Sequence, residues 1–409
     1  MVAAVVSVAA TAAGQPAVDI DEIMDRLTLE QKLGQLTLVP IGEPLHLPED
    51  ERSEMVEGWR DEARSGAVGA MYGPNTAAYT NSIQRAAFEE SEHGIPLIIG
   101  NDIIHGYRTI FPIPLASSGT WDLDLLESLT RAAAVEARAA GTHWTFSPMV
   151  DISRDPRWGR VAEGAGEDPF LASKIAAARV QGFQGRGIDR PDAVVATAKH
   201  FAAYGAAVGG RDYDTTEMSE QTLRTIHLPP FQAAVEAGVG SLMTSFNDVL
   251  GVPATASELL LEEILREEWS FDGFVTSDYT SINEMVPHGY ARDLQHAGVL
   301  ALRAGTDMDL TGRVYQSELE DALERGMISM STVDRSVRRV LEMKKRLGLF
   351  EDPYGDESRE SRVTLSDEHR ALARLAAARS VVLLKNEGDL LPLDPTDGTI
   401  GLIGPMADR

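Results

Sequence analysis

Cysteine is absent from the 409 residues of this chain. Its absence excludes disulfides, thiolate zinc sites, iron–sulfur clusters and cysteine nucleophiles, so stability must come from packing. Nine histidines remain as candidate metal ligands, but there is no His-Glu-x-x-His motif and no close cluster of histidine and aspartate. We therefore predict neither a metal site nor a cofactor.

Positive charge is also scarce: 37 Lys and Arg side chains stand against 63 Asp and Glu, which gives a formal net charge of −26. A chain with this charge repels nucleic acid and anionic membranes, so we expect neither as a partner. Beyond the N-terminal residues, no apolar run reaches the length of about 18 residues that spans a bilayer. The overall composition is that of a globular protein, with 43% hydrophobic residues and enough length for a large core.

The N-terminal segment MVAAVVSVAATAAGQPA (residues 1–17) is an apolar run of small residues with an Ala-x-Ala-like site near residues 10–13. It is similar to the apolar region of a secretory signal, although no positive charge precedes it. We therefore expect a signal-like segment at residues 1–17 and a secreted or periplasmic protein.

Eight short apolar runs alternate along the chain with stretches of helical periodicity. The runs are LGQLTLVP (33–40), GAVGAMYG (66–73), IPLIIGND (95–102), TFSPMVDI (145–152), VVATAKHF (194–201), GSLMTSFN (240–247), GFVTSDY (273–279) and LRAGTDMDL (302–310). Helices are predicted at residues 51–64, 123–140, 171–184, 219–237 and 257–269. Eight such units in about 270 residues favour an α/β fold with a closed (β/α)8 barrel. Neither a G-x-G-x-x-G after an early strand nor a Walker A motif supports a nucleotide-binding sheet instead.

Polar residues accumulate where the eight runs end. They are Asp102, Asp151, Lys199, His200, Asn247, Asp278, Asp307 and Asp309. In a barrel, the carboxyl ends of the strands carry the active site. A strand-end cap or a buried polar group explains any one of these residues, but ionisable groups at several strand ends must be solvated, paired or used. We therefore expect a site on this face.

The chain from residue 18 onward is predicted to have three parts. Residues 18–350 are predicted to form the barrel, which ends in an amphipathic helix at 330–348, and residues 351–379 a linker and a helix. Residues 380–409 contain two β-rich runs separated by a turn. Because two strands and a helix cannot form a core of their own, we interpret 380–409 as the truncated start of a second domain.

Five long motifs resemble glycoside hydrolase family 3, in its β-glucosidase branch, and the resemblance extends from about residue 27 to the C-terminus. They are GNDIIHGYRTIFPIPL (100–115), SRDPRWGRVAEGAGEDP (153–169), KHFAAYGAAVGGRDY (199–213), GFVTSDY (273–279) and SVVLLKNEGDLLPL (380–393). The resemblance implies an N-terminal (β/α)8-like barrel followed by an α/β-sandwich domain, of which residues 380–409 are the opening segment.

The resemblance also implies roles for individual residues. Asp278 corresponds to the nucleophile of a retaining mechanism, and Tyr213 to a tyrosine that hydrogen-bonds this nucleophile. A retaining glycosidase needs one ionised carboxylate and a proton donor about 5–5.5 Å away. We expect Lys199 and Arg160 nearby, where their charges keep Asp278 ionised.

Further positions carry over as sugar-binding residues. The residues that hold hydroxyls of the non-reducing sugar are Asp102, Arg160, Lys199 and His200, and those that line the subsites are Met243 and Tyr279. A role in core filling is an equally good interpretation of Met243. Trp158 fits better as a packing residue that positions Arg160 than as a platform for a sugar.

One departure from the family pattern concerns the proton donor. In the two-domain β-glucosidases that this chain resembles, the acid/base glutamate lies on the second domain, so we expect it outside this chain. The N-acetylhexosaminidase branch uses a histidine on the loop after K-H-F, but the corresponding segment here contains none. Asp212, Asp214 and Glu217 are possible substitutes that the spacing does not favour.

The sequence thus favours a retaining exo-acting β-glucosidase that removes terminal glucose through a covalent intermediate at Asp278. The expected partners are a β-glucoside or oligosaccharide substrate and the missing second-domain polypeptide. Two alternatives stay open: β-xylosidase or N-acetylhexosaminidase specificity within the family, and a sugar-binding barrel fragment with little catalysis. Linkage preference and oligomeric state are not predicted.

Overall fold

Eight short strands lie at the eight apolar runs. They are β1 (Thr37–Pro40), β2 (Ala70–Tyr72), β3 (Ile98–Asn101), β4 (Trp144–Thr145), β5 (Thr197–Phe201), β6 (Ser241–Thr244), β7 (Phe274–Thr276) and β8 (Asp309–Leu310). A small antiparallel hairpin, Asp248–Val249 with Val252–Pro253, follows β6. The first and last strands are shorter than predicted, because residues 33–35 and 302–304 belong to the helices that precede them.

The strands pair in parallel and close into a ring. One sheet has the order β8-β1-β2-β3-β4 and the other the order β5-β6-β7. Isolated parallel bridges join the two sheets: Trp144 with Val195 and Met149 with Lys199 on one side, and Thr276 with Met308 on the other. The closed parallel ring with outer helices confirms the predicted (β/α)8 barrel.

This computed structural model describes residues 18–42, 44, 46–73, 75–213, 215–394, 396, 398–404 and 407. The predicted signal-like segment at 1–17 and the candidate acid Asp214 lie outside these residues. In the part of the chain that is described, none of the helices has the length and apolar character needed to cross a bilayer.

Fifteen α-helices occur in the described part of the chain. They are α1 (Ile20–Arg26), α2 (Leu29–Gln35), α3 (Glu49–Ser65), α4 (Ala77–Phe88), α5 (Pro114–Ser118), α6 (Leu123–Ala139), α7 (Pro169–Gln184), α8 (Glu220–Thr222), α9 (Pro229–Glu236), α10 (Ser281–Glu284), α11 (Leu294–Ala304), α12 (Val314–Glu324), α13 (Met330–Arg346), α14 (Glu357–Val363) and α15 (Asp367–Arg379). Side-chain N-caps fix several starts; Asp168, for example, accepts a hydrogen bond from the Leu171 N–H and begins α7 at Pro169.

Two predicted helices differ from regular α-helix. The helix predicted at 219–237 is three pieces: α8, a π-helical turn at Leu223–His227, and α9. The break falls at Pro229, which has no N–H to continue the hydrogen-bond ladder. The helix predicted at 257–269 is a π-helix at Leu259–Glu268. Local periodicity does not distinguish the two winding patterns.

Bulky side chains from facing strands fill the interior of the barrel. The Trp144 ring meets Phe146 and Phe274 edge to face, with centroid distances of 4.8 and 4.9 Å. Met243 of β6 belongs to the same apolar cluster. A barrel filled in this way is a rigid core, and the reactive groups are confined to its rim.

Glu136 of α6 ties the segment after the barrel to the loop that follows β3. Its buried carboxylate accepts hydrogen bonds from the Thr109 hydroxyl at 2.6 Å, the Leu365 N–H at 3.0 Å and the His369 Nδ1 of α15 at 2.9 Å. Although burial opposes ionisation, the hydrogen bonds from Thr109 and His369 lower the pKa of Glu136. The carboxylate therefore joins three segments that are far apart in the sequence.

The two β-rich runs predicted after residue 380 form no strand within the described residues up to 404. Apolar side chains such as Val381, Leu384 and Ile403 are exposed there. A strand requires a neighbour to satisfy its backbone groups, and this segment pairs with no other described strand. The predicted domain boundaries at 350 and 380 stay predictions.

The buried Asp307 offers a test of what holds the outer helices to the barrel. Its carboxylate pairs with Arg266 at 3.2 Å and Arg339 at 2.9 Å. We expect Asp307→Ala to lower the free energy of unfolding by about 3–5 kcal/mol, because it leaves buried cations without their counter-charge. Urea unfolding followed by circular dichroism measures the change.

The matched control is Asp272→Ala, which removes an exposed carboxylate 3.5 Å from Arg346. Its effect should stay within about 0.5 kcal/mol. Equal losses in the two variants would contradict the role given to Asp307.

Candidate active site

Asp278 lies just beyond the end of β7 and is 7% exposed. Its Oδ1 accepts a hydrogen bond from the Tyr279 N–H at 2.7 Å, whereas Oδ2 has no hydrogen-bond partner in the described part of the chain. Burial raises the pKa of Asp278 to about 6, and the charges of Lys199 and Arg160 act in the opposite direction. A carboxylate with one unused, buried oxygen is available to react.

His200, in β5, faces that unused oxygen. Its Nε2 is 3.5 Å from Asp278 Oδ2, and its Nδ1 is 2.8 Å from Asp151 Oδ2, which also accepts the His200 backbone N–H. Burial lowers the pKa of His200 far below its usual value and raises that of Asp151 to about 7. A neutral imidazole with its proton on Nδ1 satisfies Asp151 and leaves Nε2 as an acceptor. Two acceptor atoms, His200 Nε2 and Asp278 Oδ2, then lie next to each other.

Lys199 precedes His200 and is buried. Its ammonium pairs with Asp102, at 3.3 Å to Oδ1 and 3.1 Å to Oδ2. Asp102 follows β3, and about half of its side chain is exposed. The pair therefore has a buried cationic side and an open anionic side, so hydrogen-bonding capacity at Asp102 faces solvent.

Arg160 approaches from the loop after β4. Its Nε and Nη2 bind the Glu163 carboxylate as a fork, at 2.6 and 2.9 Å, and its guanidinium carbon lies 5.5 Å from the centre of the Tyr204 ring. Although burial opposes the charge, Glu163 raises the pKa of Arg160. The fork fixes the guanidinium and leaves Nη1 outside it.

Aromatic side chains pack against one another beside this loop. The buried Trp158 donates from Nε1 to Asp212 Oδ1 at 3.0 Å and contacts Tyr204 edge to face, 5.2 Å between centroids. Phe246 packs against Tyr204 at 5.5 Å and against Tyr213 at 4.4 Å. Trp158 is thus a packing residue, as the sequence suggested.

Comparisons with known proteins identify the family of this chain. A sequence model described as the glycosyl hydrolase family 3 N terminal domain matches residues 28–343. The chain belongs to glycosyl hydrolase family 3. A periplasmic β-glucosidase from Salmonella typhimurium is 38% identical to this family 3 chain over 399 residues, which are 95% of this chain and 50% of the relative.

Other family 3 proteins are similarly close. A β-xylosidase from Formosa agariphila is 38% identical over 333 residues, which are 78% of this chain and 46% of the relative. The crystal structure of a β-glucosidase from Listeria innocua in complex with glucose superposes with a TM-score of 0.85 at 38% identity, over 92% of this chain and 53% of that one. The chain spans about half the length of these relatives.

The family 3 barrel brings together most of the predicted site residues. Asp102, Lys199, Arg160 and His200 all lie close enough to Asp278 to contact it or one another or to influence its charge. Tyr279 is half-exposed beside Asp278. These side chains reach one place although their positions in the sequence span residues 102 to 279.

Two predicted residues have a different environment from the others. Tyr213 is half-exposed, and among the described residues it makes no hydrogen bond to Asp278. Burial raises the pKa of Tyr213, and the charges of Asp212 and Asp278 act in the same direction. Met243 is 2% exposed in the core of the barrel, where core filling accounts for it. Their roles toward substrate stay predictions.

Four residues of this family 3 site were not assigned to it from the sequence: Asp151, Glu163, Tyr204 and Phe246. Asp151 had been noted only as a strand-end residue. Glu163 lies three residues after Arg160 in the same motif, a spacing typical of an ion pair on one turn of helix, so that signal was present. Nothing local indicates that Tyr204 and Phe246 stack.

Other polar residues at the strand ends serve the fold instead. Asp309 caps α12 through the Val314 N–H at 2.6 Å, Asp307 binds the two arginines described above, and Asn247 donates to the Ala202 carbonyl at 3.2 Å. The part of the chain that is described contains no group of three His, Asp or Glu residues able to hold a metal ion.

The pKa of Asp278 gives a prediction that needs no substrate. Because burial raises it and Lys199 lowers it, we expect Asp278 to titrate near pH 6 and the variant Lys199→Met to titrate at higher pH. Carbon-13 NMR of aspartate-labelled protein measures the titration, with the resonance assigned by its loss in Asp278→Asn.

Lys32→Met removes a lysine that pairs with Asp334 on the outer helices and serves as the control. It should leave the Asp278 titration in place. A titration that is the same in Lys199→Met and the unsubstituted protein would show that the ammonium does not act on Asp278.

Proposed function

We propose that this chain is the catalytic barrel of an exo-acting retaining β-glucosidase, with Asp278 as the nucleophile. The observation that carries the proposal is the buried Asp278 carboxylate, whose Oδ2 accepts no hydrogen bond from the described residues while cations lie nearby. In the reaction, this oxygen attacks the anomeric carbon as the bond to the leaving group breaks, and water later hydrolyses the glycosyl ester. The β-glucosidase relatives support the substrate class.

The sugar is held by Asp102, Arg160, Lys199 and His200. Asp102 accepts hydrogen bonds from sugar hydroxyls on its exposed side. His200 Nε2 accepts a hydrogen bond from a hydroxyl beside Asp278. Arg160 and Lys199 donate, and each is held in place by its own carboxylate, Glu163 and Asp102 respectively. A pyranose presents alternating donors and acceptors, so a set with both polarities matches it.

The proton for the leaving group comes from outside the barrel in this proposal, from a second-domain polypeptide. Two of the barrel residues considered from the sequence as alternative proton donors lie in the described part of the chain. Asp212 accepts a hydrogen bond from the Trp158 indole N–H, and Glu217 is exposed on its loop. The length of the relatives, about twice that of this chain, is consistent with a donor on a further segment.

A β-xylosidase is the second candidate, because the Formosa relative has the same identity to this chain as the Salmonella relative. Xylose lacks the hydroxymethyl group of glucose. The ratio of kcat/KM for nitrophenyl β-glucoside and nitrophenyl β-xyloside decides between the two.

We also propose a periplasmic or secreted location, which the description of the Salmonella relative supports.

Covalent labelling tests the nucleophile. We expect a 2-deoxy-2-fluoro-β-glucoside with a good leaving group to attach to Asp278, because the fluorine slows both formation and hydrolysis of the ester, whereas the good leaving group speeds only its formation, so the ester accumulates. Peptide mass spectrometry locates the label. Asp278→Asn should take up none, and Asp212→Asn should be labelled as the unsubstituted protein is.

A label on another carboxylate would overturn the assignment of Asp278. Sugar binding without any label would instead favour the alternative of a binding barrel.

Dependence of the rate on the leaving group tests the proposal that the proton donor lies outside the barrel. General acid catalysis is worth about 10²–10⁴-fold. We therefore expect the 409-residue chain to be nearly inactive on cellobiose, whose alkoxide needs protonation, and much less impaired on nitrophenyl glucoside. Azide should accelerate turnover of the activated substrate, since it attacks the glycosyl ester without a base. Cellobiose turnover at the rate of an intact β-glucosidase would mean that a barrel carboxylate donates the proton.

A further inference from the structure

Arg179 of α7 is a buried cation with no acidic partner. It is 5% exposed, and its Nη2 donates to the Pro114 carbonyl at 3.1 Å and to the hydroxyls of Ser117 at 3.3 Å and Ser118 at 3.1 Å. All three acceptors are neutral. Burial lowers the pKa of Arg179 to about 10, and no acidic group in the described part of the chain opposes that effect.

Other arginines in the interior differ from Arg179, because their guanidinium groups bind carboxylates. Arg160 binds Glu163, and Arg266 shares Asp307 with Arg339. A buried charge without a counter-charge is costly, because water is lost and nothing of opposite sign replaces it. Neutral hydrogen bonds recover only part of that cost.

A small cavity adjoins Arg179. It has a volume of about 20 Å³ and lies between the loop after β3 and the helices α6 and α7. Apolar side chains such as Phe111, Leu129 and Phe183 line it together with the neutral polar residues His105, Ser117 and Thr130. No carboxylate lines it. Its size is sufficient for one particle about as large as a water molecule.

We propose that this cavity binds a single halide ion, chloride in ordinary buffers, against the Arg179 guanidinium. The charge of Arg179 selects an anion, since Nε and Nη1 have no hydrogen-bond partner among the described residues. The volume excludes sulfate, phosphate and carboxylates. Because no carboxylate lines the cavity to neutralise Arg179, a monatomic anion gains an attraction there that a neutral water does not.

The site is independent of the proposed glycosidase activity, because it involves none of the residues assigned to catalysis or sugar binding. Its consequence is structural. Ile103 and Phe111 belong to the loop that runs from the end of β3 to α5, so the ion holds this loop against α6 and α7. Halide binding to the folded state therefore raises its stability by mass action.

Thermal unfolding of the full chain in sodium chloride and in sodium gluconate at equal ionic strength tests the proposal. Because both salts screen the net charge of −26 equally, the difference between them reports chloride binding. We expect Tm to be higher in chloride, by about 2 °C or more at concentrations well above the dissociation constant, and to keep rising with the logarithm of the chloride concentration. Arg179→Met should abolish the difference.

Lys174→Met is the matched control, since Lys174 is an exposed cation on the same helix. It should keep the chloride effect in full. Equal Tm values of the unsubstituted protein in the two salts would overturn the proposal, as would loss of the effect in Lys174→Met.

Crystals of the unsubstituted protein soaked in sodium bromide give a test that does not depend on the folding of Arg179→Met. We expect an anomalous peak in the cavity, in contact with the guanidinium. Bromide peaks elsewhere with none beside Arg179, or water alone in the cavity, would overturn the proposal whatever the Tm values show.

Discussion

Parallel pairing around a closed ring is the constraint on which the rest of this structure depends. It brings the carboxyl ends of all eight strands to one rim, so Asp102 after β3, Lys199 in β5 and Asp278 after β7 meet there. The joint between β4 and β5 is a pair of isolated bridges, yet it fixes the backbone of Lys199, whose carbonyl accepts the Val150 N–H at 2.8 Å. A part of the sheet with few backbone pairs thus positions Lys199.

Charge is distributed at this rim so that Asp278 stays available. Each neighbouring cation has its own partner, since Lys199 binds Asp102 and Arg160 binds Glu163, and the neutral His200 is bound to Asp151. Asp278 therefore receives favourable potential without a direct ion pair from either cation. A nucleophile held in a tight salt bridge would lose reactivity, whereas one buried without cations would be protonated at neutral pH.

The eight strands and the residues around Asp278 were predictable because apolar runs and long motifs are local in the sequence. The features that were missed depend on contacts between distant residues. Trp158 meets Asp212 across 54 positions, and no periodicity indicates it. The exposed run at 381–384 shows the opposite failure: its composition predicts a strand, but a strand exists only where a neighbour pairs with it.

The carboxylate of Glu136 connects the helix after the barrel to the loop after β3. It holds Thr109, in the loop that begins at Asp102, and His369, in the helix after the barrel, through oxygens of one side chain. Both contacts are buried and short, so one side chain joins the helix directly to the loop. A force that pulls on the chain beyond Arg379 would therefore reach the loop that begins at Asp102 without passing through the strands.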